Sequence, residues 1–293
     1  MDHRLVRTLS RWCPLAALAL TACSTTEPTQ RASVLANPFF AMDTALTPKP
    51  GKVDATVLGR IELVRDLGYE GVGWRVDGLT EVRDEASRLG LPLVAVYARA
   101  SIDDAEWALF RQLCEQMGGT GTALWLAIDG REHPRSSPAG DERAVRLLRD
   151  LAQVAEQHGV RIALYPHSGF WMERTDDAVR IADAVGLANV GVTFNLCHWL
   201  KVEPGAELGA TLDRALPRLF FVTIHGADPG DDWSKLIQPL DRGSFDVREL
   251  LGALEERGYT GPIGLQAYGV AGSPDENLRR SMEAWREMSG AAQ

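Results

Sequence analysis

The chain has 293 residues, 45% hydrophobic and 24% charged, which makes it an ordinary globular protein with material for one large core or two smaller domains. Its formal net charge of −9 argues against nucleic acid as a partner, because that partner needs a basic footprint. Of the four cysteines, two fall in the first 23 residues, and the remaining two do not make a disulfide framework.

Residues 1–22 stand apart from the core. Arg4, Arg7 and Arg11 give a positive start, and residues 12–20 form an apolar run too short for the roughly 20 residues that span a bilayer. Leu20-Thr21-Ala22-Cys23 is similar to the lipobox of bacterial lipoproteins, which implies cleavage after residue 22 and lipidation of Cys23. Ser24 resembles the outer-membrane sorting type. The expectation is an extracytoplasmic lipoprotein on the periplasmic side of an outer membrane, touching the membrane through its N-terminal lipid only. Loss of residues 1–22 removes three Arg and one Asp and moves the charge from −9 to −11. Residues 23–37, the modified cysteine and a polar stretch with breakers, read as a flexible tether. Cys114 and Cys197 are expected to be free thiols.

From residue 38 to 290 the pattern alternates. Strand 39–43 precedes an amphipathic helix 56–67 closed by Gly68; strand 70–75 precedes helix 79–89 closed by Gly90. Strand 92–97 is followed by a helix capped by Ser101 or Asp103 and running to Met117. Strand 123–129 leads to helix 142–158, whose Ala144, Leu148, Leu151, Ala152 and Ala155 form one apolar stripe. His158 in its last turn suits the helix dipole and reads as structural. Four further pairs follow: 161–166 with 175–185, 190–195 with 206–216, 219–225 with 245–257, and 262–266 with 275–288. Eight strand–helix units in alternation imply a parallel sheet covered by helices, and the number eight favours a closed (β/α)8 TIM barrel, one domain, over an open doubly wound sheet. No Gly-x-Gly-x-x-Gly follows a strand and no P-loop is present, so a nucleotide cofactor lacks its fingerprint.

A barrel of this kind places its site at the C-terminal ends of the strands. Three of the six histidines, His167, His198 and His225, fall at or just beyond such ends, together with Asp43, Arg75, Tyr97, Arg99, Asp129, Tyr165, Asn195, Gln266 and Tyr268. This polar and aromatic set suits a carbohydrate. Trp74, Lys201 and Arg242 are candidate substrate contacts, Trp125 reads as core, and the long loop 226–244 reads as a binding loop or lid.

The second half carries a family resemblance. VGVTFN195LCH198, FVTIH225GAD, PLDRGSFD at 239–246 and GYTGPIGLQ266 resemble motifs of the xylose isomerase-like barrels, the sugar phosphate isomerase/epimerase superfamily. The resemblance implies a sugar isomerase or epimerase and a divalent ion held by Glu, Asp, His and Glu. The matching positions are Tyr165, Asn195, His225 and Gln266, so three carboxylates have become a phenol and two amides. Mg²⁺ and Mn²⁺ favour anionic oxygen, and this set offers almost no charge. The three histidines are an alternative ligand set for Zn²⁺. The expected chemistry is proton abstraction next to a carbonyl, with His225, His198, His167 and Tyr165 as catalytic candidates and Asn195 and Gln266 on the substrate. The rival expectation is an inactive, tethered barrel that binds a sugar or a partner.

Overall fold

The computed structural model describes Met1 and residues 35–47 and 56–290. Cys23, with the rest of 2–34, lies outside the described residues. The unit that begins at Ser33 holds the barrel.

Eight parallel strands close in chain order: β1 (Phe39–Met42), β2 (Val72–Arg75), β3 (Leu93–Ser101), β4 (Ala123–Asp129), β5 (Arg161–Tyr165), β6 (Val190–Asn195), β7 (Leu219–Ile224) and β8 (Ile263–Leu265). The closing pair is β1 with β8, in register Phe39↔Ile263, so the open-sheet alternative falls. Between the strands run α1 (Val57–Leu67), α2 (Leu79–Arg88), α3 (Ala108–Gln116), α4 (Asp141–Gln157), α5 (Thr175–Val185), α6 (Leu196–Val202), α7 (Leu208–Ala215), α8 (Trp233–Leu236), α9 (Val247–Glu256) and α10 (Pro274–Ser289).

Alternation along each strand divides two cores. Phe40, Met42, Ala95, Trp125, Ala127, Ala163 and Phe221 pack inside the barrel. Phe39, Ala41, Leu124, Leu126 and Ile128 pack against the helices. The inner layer mixes large rings with alanine and glycine, as a filled interior requires. A Cβ on Gly264 would come within 2.4 Å of the Phe40 ring, so glycine is what admits Phe40 to the interior. Trp125 belongs to this inner layer, as expected. It stacks on Tyr165 at 4.0 Å, meets Phe221 edge-on at 5.2 Å, and donates Nε1 to Thr193 Oγ1 at 3.0 Å.

Helix α1 matches its expected ends: Thr56 Oγ1 accepts from Gly59 N–H at 3.0 Å, and Gly68 closes it in the left-handed region. Two regions differ from expectation. Strand β3 continues to Ser101 because each of its residues from Ala95 onward pairs with β4; α3 therefore starts only at Ala108, beyond Trp107, whose Nε1 donates to Ser101 O at 2.9 Å. The segment after β6 turns at once into α6, since the Asn195 side chain caps it by accepting from His198 N–H at 3.2 Å. Cys114 and Cys197 are buried free thiols.

Candidate active site

The C-terminal mouth of the barrel holds a cavity of about 430 Å³. Tyr97, Trp125, Tyr165 and Met42 line it from the aromatic interior, while His167, His198, Gln266, Asp43, Arg75 and Arg99 line it from the strand ends.

At its centre is a hydrogen-bonded group on β5 and β6. The Tyr165 hydroxyl, 2% exposed, accepts from Asn195 Nδ2 at 3.2 Å and meets His198 Nε2 at 2.9 Å. His198 Nδ1 accepts from Ser168 N–H at 3.3 Å, so its proton sits on Nε2 and is donated to the phenol. Tyr165 thus accepts from two nitrogens, and its own proton remains for a further acceptor. Burial raises the Tyr165 pKa well above the ordinary tyrosine value, keeping it a proton donor. Burial, with His167 and His225 nearby, lowers that of His198 well below the ordinary value, keeping it neutral. Asn195 is fully occupied: its amide nitrogen also donates to Thr223 Oγ1 at 2.6 Å, and its oxygen accepts from Cys197 Sγ at 3.1 Å besides capping α6.

His167, two residues past β5, is held differently. Its backbone N–H bonds Met172 O at 2.9 Å, and Met172 N–H bonds Ile128 O at 3.1 Å, tying the loop to β4. Nδ1 lies 3.0 Å from Ser168 O. A carbonyl only accepts, so Nδ1 carries the proton and Nε2 keeps a bare lone pair. Its ring stacks on Phe170 at 4.1 Å and lies 4.1 Å from His198. Burial lowers the pKa, Arg99 lowers it further, and the Ser168 carbonyl and Asp129 oppose them. His167 is therefore a neutral base on the cavity wall.

His225 has the same tautomer, with Nδ1 3.0 Å from Gly226 O, but it is 0% exposed and does not line the cavity. Its Nε2 is buried without a partner among the described residues, and burial pulls its pKa down to about 4. This placement does not support the acid–base role that the sequence suggested for it.

On the other side, Thr44 Oγ1 accepts from Ala267 N–H at 3.4 Å and donates to Gln266 Oε1 at 2.5 Å. The Gln266 amide is thereby oriented, oxygen towards Thr44, and its side chain also hydrogen-bonds the Tyr165 phenol. Asp43, 1% exposed, accepts from Arg75 Nε at 2.6 Å. Arg99 packs over Phe170 at 4.5 Å and approaches Asp129 at 3.9 Å.

The four positions at which the resemblance implies a metal do not fit a hard divalent ion. Tyr165 keeps its proton, Asn195 spends its oxygen on a helix cap and a thiol, and Gln266 spends its oxygen on Thr44. Only the His225 Nε2 lone pair is left. The three-imidazole alternative does not assemble either, because both His198 nitrogens are engaged. Among the described residues no group of three His, Cys, Asp or Glu is placed to hold an ion.

Three substrate candidates lie away from the cavity. Trp74 is 3% exposed, in the outer core, with Arg60 over its ring at 4.6 Å. Lys201 holds Asp231 through its carbonyl at 2.9 Å and its carboxylate at 3.0 Å and so anchors the 226–244 loop. The Arg242 side chain is exposed and, among the described residues, approaches only Asp241, at 3.8 Å. That loop instead brings Trp233, 47% exposed on α8, to the cavity, 6.2 Å from the His198 ring. Thr44, Ser168, Phe170 and Ile237 also line the cavity without having been singled out. Thr44 and Ser168 adjoin the strand-end residues Asp43 and His167, which was their available signal.

Several solved structures are similar to this one. An apo 3-keto-D-glucoside 4-epimerase, YcjR, from E. coli is 17% identical with a TM-score of 0.67, over 86% of this chain and 99% of that one. The IolI protein with a bound zinc atom is 17% identical with a TM-score of 0.68, over 86% and 98%. A D-allulose 3-epimerase from Methylomonas sp. in complex with D-allulose is 14% identical with a TM-score of 0.67, over 88% and 99%. At such identity the likeness shows the fold. No curated protein matches the chain. Residues 61–288 match the Xylose isomerase-like TIM barrel family over most of the barrel, and the chain belongs to that family.

Proposed function

We propose that this protein is an enzyme of the sugar isomerase or epimerase type, acting on a free or keto-modified sugar by proton transfer next to a carbonyl. The observation that carries the reading is His167, whose Nδ1–H is fixed on a backbone carbonyl while Nε2 stays basic beside the Tyr165 phenol. His167 takes a proton from the carbon next to the carbonyl, and the C–H electron pair moves to the carbonyl oxygen. The Tyr165 proton and the Gln266 amide then stabilise that oxygen, in the manner of an oxyanion hole. His198 and Asn195 act through Tyr165 by fixing its oxygen. A cavity of about 430 Å³ suits a small polar ligand, and Trp233 offers an exposed ring to a sugar face. The epimerase names of the similar structures agree with this chemistry.

The test is incubation with ketoses and 3-keto glycosides in deuterated water, read by NMR. Deuterium should enter at a carbon next to the carbonyl, and His167→Gln should slow it by on the order of 10²–10⁴. Absence of exchange throughout the panel, in a protein that binds one of the sugars, would instead favour an inactive sugar-binding barrel, the reading to which the lost carboxylates point. The location rests on residues 1–23 alone: an extracytoplasmic protein tethered through a lipid on Cys23. Cys23→Ser should then release it from the membrane fraction, and unchanged retention would refute the tether.

A further inference from the structure

The base and the phenol with its partners act from one side of the cavity. His167 follows β5, and Tyr165 and His198 stand on β5 and just after β6. Inversion at a carbon next to a carbonyl needs more. The proton leaves from one face and a proton arrives at the other, so a base that its loop holds fixed requires a partner across the substrate.

The closed order of the strands says where that partner must stand. Eight strands in sequence put β1 four places from β5 in either direction, so the end of β1 faces the end of β5 across the mouth. The residue just after β1 is Asp43. It lines the cavity, and among the described residues it is the only carboxylate that does. Its Oδ2 is fixed by Arg75 Nε at 2.6 Å, while Oδ1 is buried with no partner among the described residues. A simple ion pair at the rim would leave no such oxygen, because folded proteins seldom bury an acceptor unpaired.

We infer that Asp43 is a second catalytic residue, exchanging a proton with the substrate from the wall opposite His167. The inference rests on the proton-transfer reading proposed above. In one direction His167 Nε2 removes the proton, the electron pair rests on the carbonyl oxygen, and protonated Asp43 gives its proton to the opposite face of the carbon. The O–H bond breaks as the new C–H bond forms, leaving Asp43 ionised and His167 protonated until solvent resets both. In the other direction ionised Asp43 removes the proton and His167 returns one. Burial favours the acid form of Asp43, and Arg75 and Arg60, the charged groups that face it, favour the ionised form. Both forms therefore have support from the surroundings.

The test compares wild type, Asp43→Asn and His167→Gln on both members of two epimer pairs, a 3-keto-glucoside with its C4 epimer and D-fructose with D-allulose, in deuterated water. Wild type should interconvert one pair and exchange deuterium into both members. Asp43→Asn should lose interconversion by on the order of 10² or more yet still exchange the member whose proton faces His167; His167→Gln should show the opposite preference. The retained exchange also shows that each variant is folded. Exchange of both members by Asp43→Asn, or loss of the same member by both variants, overturns the assignment. If Asp43→Asn is silent on both members, Arg75→Gln decides, since that side chain is 49% exposed and its loss spares the core. Removing the guanidinium raises the Asp43 pKa, so exchange of the Asp43-facing member alone should shift to higher pH. An equal shift for both members, or none, overturns the assignment. Absence of exchange by wild type with either pair refutes the proton-transfer reading itself, and this inference with it.

Discussion

The buried imidazole of His225 makes a quantitative demand on stability. Its pKa is held at about 4 in the folded protein by burial, against 6.5 for an ordinary histidine. Between those values the unfolded chain binds a proton that the folded protein refuses, so stability falls as the pH falls. The loss begins near pH 6.5 and is complete below about 4. From pH 7.5 to 5 this one group should remove about 2 kcal/mol, at 1.36 kcal/mol per unit of pKa difference. His167 and His198 are lowered in the same direction and add to the loss, while Asp43 and Glu203, whose carboxyl pKa values burial raises, oppose it. The variant His225→Asn isolates the His225 part: it cannot titrate, and its amide can still donate towards Gly226 O. Urea unfolding of both proteins at both pH values measures the difference. The pH-dependent loss should be smaller in His225→Asn by about 2 kcal/mol, even though the cavity left by the ring lowers stability at every pH. Equal losses in the two proteins would mean that His225 is not buried in its neutral form, and the account of the orphaned Nε2 would fall.

The remaining predictions concern the neutral site and the outer core. Gln266→Glu replaces a donor with a carboxylate that repels a developing enolate, so exchange should drop by on the order of 10²–10³; a gain on adding Mn²⁺ would show that metal chemistry survives and would sink the metal-free mechanism. Trp285→Ala removes a ring on α10 that is 5% exposed and stacked on Phe39 at 4.2 Å. It should cost about 3–5 kcal/mol in urea unfolding while leaving sugar exchange by the folded protein intact. His158→Ala, at the far end of α4 from any cavity residue, should leave the exchange rate within about twofold of wild type, since surface changes rarely propagate; a larger fall would mean the helix cap supports the site.

Alternation of apolar strands with striped helices was enough to read the barrel, because both periods are written in the chain and the closure needs only the number eight. Boundaries were legible where the residue type makes the cap, as with the Thr56 hydroxyl and the left-handed backbone of Gly68. They were not where pairing with a neighbour decides, as in β3, which β4 extends to Ser101. In the site, the histidines at the strand ends were visible, but which of their nitrogens reaches the cavity depends on backbone carbonyls that no motif records. His167 and His225 make the same Nδ1 contact to the carbonyl of the next residue, yet only His167 lines the cavity. Trp74 and Arg242 were misplaced for the same reason: a position near a strand end does not say which way the side chain turns.

The charge at the cavity has a different layout from the one the family resemblance implies. On β5 and β6 and just after β8, where that resemblance implies carboxylates, this chain has Tyr165, Asn195 and Gln266, each tied into bonds that leave donors facing the cavity or none at all. The ionisable groups on the wall stand instead just after β1 and on β2 and β3, as Asp43, Arg75 and Arg99. Two guanidinium groups against one carboxylate give the wall a net positive sign in a protein whose formal charge is −9. Both arginines are about half exposed or more, so solvent screens them. The part of that field that survives favours negative charge where an enolate oxygen forms. With the arginines and the neutral donors sharing this task, Asn195 is free to serve as the cap of α6, an office in which its oxygen is turned away from the cavity.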